Sequence, residues 1–153
     1  SVRYAVAPVG RDLPGWTPVD QGDGVTIWSN PSWKSEIRVV GTARACAEDE
    51  AWRRMANDDE LLEDGAFVPE GTPAVAARRF WWDIRDDRPD GVEVMVECDG
   101  PCLLVVARAW SPGWTARVDG RKAAVVRANL AGLGAHVPAG KHRVEVCYRP
   151  WFG

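Results

Sequence analysis

From Ala74 to its C-terminus the chain is a series of short apolar runs with a period of two, each cut off by a turn former. That rhythm admits few folds. Phe80, Trp82 and Ile84 alternate with Trp81 and Asp83, and after Arg88-Pro89-Asp90-Gly91 the residues Val92, Val94 and Val96 alternate with Glu93 and Glu97. Cys102 to Ala109 is apolar on both faces and reads as a central strand. Trp114, Ala116 and Val118 share one face before Asp119-Gly120, a pair suited to a type I′ turn, which leads into Val125 and Val126. Val137-Pro138-Ala139-Gly140 then turns the chain into Val144, Val146 and Tyr148. Strands at intervals of about 8–12 residues predict an antiparallel sandwich or barrel, and we expect a β-sandwich of jelly-roll type. Roughly seven to ten strands would build it.

The first 41 residues carry weaker signals. Tyr4-Ala5-Val6, Val25 to Trp28 and Ile37 to Val40 are strand candidates, with Pro14-Gly15 and Gly22-Asp23-Gly24 as breaks between the first two. One segment, Cys46 to Asp58, has helical character. Glu48, Asp49 and Glu50 occupy its first turn, where the helix dipole favours acids. Asp49–Arg53 and Glu50–Arg54 are acid-before-base pairs four apart. Ala47, Ala51 and Met55, with Trp52 and Ala56, form a narrow apolar stripe that suits packing on the rim of a sheet. Asn57 through Glu60 end it.

At 153 residues the chain has the length of one domain, 1–153, burying about 70% of its unfolded surface. The net charge of −3 and scattered Lys and Arg argue against a nucleic-acid partner, which needs a basic face. No apolar run approaches the roughly 20 residues that span a bilayer. SVRYAVAPVG lacks the regions of a signal peptide, so Ser1 reads as the start of a piece whose targeting segment would lie upstream.

Four cysteines, Cys46, Cys98, Cys102 and Cys147, permit two disulfides, free thiols or a metal site. Asp99-Gly100-Pro101 between two apolar runs suggests a hairpin with a three-residue loop, which would bring Cys98 within reach of Cys102. Neither histidine lies at ligand spacing from a cysteine or carboxylate, so no metal is expected. There is no catalytic signature. Asp86-Asp87 and Asp58-Asp59-Glu60 read as solvated charge runs, and no glycine pair follows a strand and opens a helix as a phosphate loop requires. No cofactor is implied.

The segment WSPGWTARVDGRKAAVVRANLAGLGAHVPAGKHRVEVCYRP resembles the end of the YfhO family of bacterial membrane proteins. That family closes with a PGW-x-A-x-VDG hairpin, an Arg/x-Asn step, a VPAG-H turn and a V-x-V-x-Y-x-P strand. Here these correspond to Pro112-Gly113-Trp114, Val118-Asp119-Gly120, Arg127 and Asn129, and Tyr148-Arg149-Pro150. Val25 to Pro31 resembles a further step of the family pattern. Glu36-Ile37-Arg38 departs from it, standing where the family usually has Pro-Arg. The resemblance implies an extracytoplasmic domain of a polytopic protein akin to lipid-linked-sugar glycosyltransferases. Its catalytic acid would lie in an early loop between membrane spans, outside these residues. The fragment would then be a non-enzymatic accessory domain on the outer face of the bacterial cell membrane, binding glycan or lipid-linked sugar. The alternative is a structural or protein-interaction sandwich packing on the membrane region of the same chain. In an extracytoplasmic setting two bridges are expected, Cys98–Cys102 and Cys46–Cys147.

Trp110, Trp114, Arg127 and Asn129 are the candidate ligand-binding residues. Trp110 sits before the Pro112-Gly113 turn, where a loop-tip indole could stack on a sugar. Trp114 shares a face with Ala116 and Val118, so a place in the core is the stronger reading. Arg127 and Asn129 could meet sugar hydroxyls, but fixing the following Gly132-Leu133-Gly134 loop is preferred. Trp16, Trp33 and Trp151, beside Pro or Gly, are lesser candidates.

Overall fold

The computed structural model describes residues 3–31, 35–56 and 65–150, so Trp33, Trp151 and the segment Asn57–Glu60 lie outside it. Length pointed to one domain; the chain divides into two compact units, Ser1–Ser35 and Glu36–Gly153. The first unit is a three-stranded antiparallel sheet in the order β1 (Tyr4–Pro8), β3 (Val25–Ser29), β2 (Thr17–Gly22). Ala7, Thr26 and Trp28 are its buried residues. Strand β2 is exposed throughout and has no apolar alternation, which is why the sequence pattern passes over it. The turn before β3 places Asp23 at φ 50° and Gly24 at φ 78°, the left-handed pair of a type I′ hairpin.

The second unit is a β-sandwich with extra layers on one side. One sheet has five strands in the order β11 (Arg121–Ala123), β10 (Trp114–Val118), β14 (Gly140–Tyr148), β8 (Gly91–Cys98), β7 (Phe80–Arg88), all antiparallel. The other has four: β12 (Val125–Ala128), β13 (Gly132–Val137), β9 (Cys102–Val106), β4 (Ile37–Val40). The described residues hold fourteen strands, more than the seven to ten expected, and the facing sides of these nine form the main core. Val92, Val94, Val96, Val144 and Val146 meet Ile37, Val39, Leu104, Val106, Leu133 and Val137 there. At about 25 cal/mol per Å² of apolar area removed from water, this cluster is the main source of stability.

The other side of the four-stranded sheet is covered as well. Val40, Leu103, Val105 and Ala128 pack against Ala66 and Val68 of a parallel pair, β5 (Thr42–Ala45) and β6 (Gly65–Val68). Phe67, pointing the opposite way on β6, packs with Cys46 and with Ala51 of α1 (Glu48–Met55). The expected strands Ile37–Val40 and Cys102 onward are present, and β9 is buried along its whole length between β4 and β13. Its β-strand spans Cys102–Val106 rather than reaching Ala109.

The helix is shorter than expected. It begins at Glu48 because Ala47 offers no capping side chain and the Cys46 N–H donates to the Val68 carbonyl instead. The pairs Asp49–Arg53 (3.1 Å) and Glu50–Arg54 (2.6 Å) form. Its apolar stripe is narrower than the sequence suggested: Ala51 is buried, while Trp52 faces outward at 66% exposure.

Asp99-Gly100-Pro101 is not a hairpin loop. Strands β8 and β9 belong to different sheets, and the three residues carry the chain across the sandwich. Both edges of β8 are already taken by β7 and β14, and both edges of β9 by β4 and β13. The crossover is held from outside, with the Asp99 carboxylate accepting the Arg78 and Arg79 N–H groups and the Pro101 carbonyl accepting those of Ala76 and Ala77. Asp119 and Gly120, at φ 51° and 77°, make the expected type I′ turn, but into β11. Val125 and Val126 follow one residue later in the opposite sheet.

Candidate functional site

Of the four candidate residues, the fold brings Trp110 and Arg127 into direct contact. Trp110 is half-buried, packs against the main core, and donates its backbone N–H to the Ala131 carbonyl. The Arg127 guanidinium lies over its ring, 4.7 Å from the centroid, a cation–π stack. Trp110 is therefore not the free loop-tip platform that its place in the sequence suggested. Its indole supports the arginine.

Arg127 stands at the rim of an apolar cavity of about 160 Å³ lined by Cys46, Ala51, Phe67, Val68, Pro69 and Leu130, with Glu48 on the opposite rim. Arg127 Nη1 and Glu48 Oε1 are 3.6 Å apart, and Glu48 is 70% exposed. The pair is loose and solvent-screened. Burial, and the nearby Glu50 carboxylate, push the Cys46 thiol above its usual range, so this wall of the cavity is uncharged.

Asn129 takes the structural role. Its Oδ1 accepts the Phe67 N–H at 2.9 Å, and its own N–H donates to the Phe67 carbonyl at 2.9 Å, clamping the β12–β13 turn onto β6. Asn129 is left-handed, at φ 50°, a conformation its short polar side chain tolerates. Leu130 follows at φ 69° and has no such excuse. A leucine there costs about 1–2 kcal/mol, and the turn holds it so that its side chain joins Phe67 and Cys46 in the cavity wall. The loop expected at Gly132-Leu133-Gly134 is not there: these residues open β13, and the turn lies at Asn129–Leu130. The apolar pattern carries no signal for its position or its strain.

Trp114 packs against the main core as the stronger reading had it, its ring tilted 49° against that of Tyr148 with centroids 5.2 Å apart, and its Nε1 donates to the Ala109 carbonyl at 3.1 Å. All four cysteines are free thiols. Cys98 and Cys102 lie together in the main core, close enough for burial and the neighbouring Cys98 thiol to push Cys102 far above its ordinary range, yet unbonded. Cys98 Sγ donates to the Pro138 carbonyl at 3.2 Å. A Cys46–Cys147 bridge is not formed because the two residues are on opposite sides of the sandwich. Cys46 lies beneath α1 outside the four-stranded sheet, and Cys147 is on the outward side of β14 in the five-stranded one, opposite in phase to Val144 and Val146. Among the described residues no group of three or more His, Cys, Asp or Glu is placed to hold a metal ion, and no helix is long and apolar enough to cross a membrane.

A second concavity was missed. Trp81 is the outward member of the Phe80–Trp82 alternation, on edge strand β7, with 52% of its surface exposed. It pairs across the ladder with Glu97. A shallow groove of about 320 Å³ runs past Trp81, Glu97, Asp99 and Arg79. The N–H groups of Arg79 and Arg78 hold the Asp99 carboxylate below its usual pKa, so that acid stays ionised and fixed. The sequence signal was available: an indole in the polar phase of a strand that also has an apolar phase.

His142 and Asp119 form a further pair, Nδ1 to Oδ2 at 2.7 Å, with the second ring nitrogen 3.0 Å from the Ala139 carbonyl. Both ring nitrogens face acceptors, which favours the doubly protonated ring and raises its pKa, Asp119 being the larger cause.

Compared with protein-family models, with curated proteins and with solved structures, the chain matches none.

Proposed function

We propose that this chain is a non-catalytic, extracytoplasmic accessory domain of a polytopic bacterial membrane protein akin to the lipid-linked-sugar glycosyltransferases, and that its ligand is a glycan. The likeness of residues 110–150 to the end of the YfhO family supports the membrane context. Crossings between the two sheets at 99–101, 107–113, 124 and 138–139 support reading the sandwich as a jelly roll. One observation carries the ligand: an exposed indole lies in a groove beside two carboxylates and a guanidinium, at Trp81, Glu97, Asp99 and Arg79. An indole face receives the apolar face of a pyranose, while carboxylates accept its hydroxyl protons. This convergence of polar groups favours a small polyol ligand over a protein-interaction surface, which would be broadly apolar.

The test is a titration of the domain with soluble cell-wall glycan fragments, followed by tryptophan fluorescence and ligand NMR. Roughly millimolar binding is expected from one aromatic platform in water. Trp81→Ala should weaken it by at least about tenfold, whereas Trp110→Ala, whose ring already carries Arg127, should leave it unchanged. Binding that survives Trp81→Ala removes the groove as the site. No binding to any glycan at millimolar concentration leaves the structural sandwich as the reading.

A further inference from the structure

The cavity beneath α1 combines features that the glycan reading does not use. Its interior is apolar, and its volume of about 160 Å³ is close to the roughly 150 Å³ at which an apolar protein cavity accommodates one benzene ring. The walls are over-determined. Asn129 clamps Phe67 with two hydrogen bonds, and Leu130 is kept in a left-handed conformation to complete the lining. Strain of this kind concentrates where a binding surface must be shaped in advance.

The rim carries one charge of each sign. Arg127 is set in place by the ring of Trp110 rather than by its acid, so its remaining N–H donors keep a fixed direction. Glu48, 3.6 Å away, is beyond hydrogen-bond length and mostly in water. A ligand bearing an anionic and a cationic group on one carbon could replace this loose contact with two short charge-assisted ones.

We propose that this cavity binds a free α-amino acid with a branched or aromatic apolar side chain. The side chain fills the space between Ala51, Phe67 and Leu130, the α-carboxylate meets Arg127, and the α-ammonium meets Glu48. The requirement for both charges excludes a peptide terminus, which presents only one of them. The site shares no residue with the Trp81 groove, so the failure of either leaves the other standing.

Amide NMR of the domain titrated with L-leucine and L-phenylalanine reads the site directly. Shifts should concentrate at Cys46, Phe67 and Leu130 and saturate in the millimolar range. Leucinamide and N-acetyl-leucine, each lacking one charge, should bind roughly tenfold more weakly or worse. Glu48→Gln, at an exposed position, should weaken leucine while leaving N-acetyl-leucine as it was, and Arg127→Gln should weaken both. Ala51→Ile should abolish binding by filling the cavity; because that residue is buried, the two rim variants decide the matter if it unfolds the domain. Absence of shifts at about 20 mM amino acid, or equal binding of leucine and N-acetyl-leucine, overturns the proposal.

Discussion

The two sheets of the sandwich share one core and differ in what lies behind them. The four-stranded sheet is covered a second time by β5, β6 and α1, and every residue of β9 is buried. The five-stranded sheet turns its other face to water. There Arg143 bonds to Glu93 and Glu145, and Met95 stands between Asp83 and Arg143 in the ladder. The difference shows in the lettering of the strands. Strand β8 alternates Val with Glu or Met, while β9 reads Cys-Leu-Leu-Val-Val with no polar phase. A strand with no polar phase belongs in a layer covered on both sides, and the small cavity lies within that extra covering.

Adjacent leucines test the comparison most severely. Leu104 points into the main core and Leu103 toward β6, and neither is exposed. If both sides of β9 are true interiors, Leu103→Ala and Leu104→Ala should each cost about 2–5 kcal/mol in denaturant unfolding. Met95→Ala, on the wet face of the other sheet, should cost about 1 kcal/mol or less. A Leu103 variant as mild as the Met95 variant would mean that the β5–β6 layer is only loosely attached.

Gly41 is the point at which the chain leaves β4 for the outer layer. A Cβ there would sit 2.0 Å from the Ala77 carbonyl oxygen and 2.8 Å from the Phe80 ring. Gly41→Ala should therefore cost about 3 kcal/mol, since a backbone oxygen cannot rotate away. Gly134, on β13, provides the contrast. Its Cβ would meet methyl groups of Val126 and Leu103 at 3.0 and 3.2 Å, which can shift, so Gly134→Ala should be much milder. Thermal unfolding of the two variants side by side gives the ranking.

Much of the five-stranded sheet was legible because one wet face preserves the period of two. Ile84 is a local exception: it lies opposite Val94, in the core-facing phase, yet is 40% exposed on edge strand β7, and the register shift between Ile84 and Asp86 is a bulge that alternation alone cannot signal. The doubly covered side was harder to read. Gly65 to Val68 is buried at all four positions, too short and too uniform to distinguish a strand from a buried turn, and its parallel pairing with β5 depends on contacts distant in sequence. The apparent hairpin at 99–101 misled for a related reason. Its turn residues were sound, but an alternating strand and a fully apolar one were assigned to the same sheet. For the site, the sequence singled out Arg127 and Trp110 without their mutual contact, and Asn129 without its clamp on Phe67.

That clamp ties the sandwich to its outer layer and gives a mid-sized prediction. Asn129→Ala removes the acceptor of the buried Phe67 N–H and places an alanine at φ 50°. A loss of about 2 kcal/mol is expected. Asn129→Gly relieves the backbone but still leaves the N–H unmet, so it should fall between alanine and the native residue. If glycine restores full stability, the side-chain bond contributes nothing and the turn conformation alone matters.

The smallest effect expected belongs to the wet sheet, where ion pairs meet solvent. His142 gains a carboxylate and a carbonyl acceptor on folding, so its pKa lies above the unfolded value of about 6.5. Its contribution is complete below that value and is lost as the pH rises through the folded pKa. Asp119 is shifted the other way, by the His142 ring first and the Arg143 N–H second, below its unfolded value of about 3.9. Its contribution is complete above that value and is lost as the pH falls through the folded pKa. The pair is thus fully stabilising between about pH 4 and pH 6.5, and the melting temperature should decline slightly on the alkaline side as the ring loses its proton. His142→Gln removes the titrating group while keeping a donor toward Asp119, so the alkaline decline should flatten and the acid one remain. An unchanged alkaline slope in the variant would show that solvent screens the pair as fully as it screens the ions of the sheet's outer face.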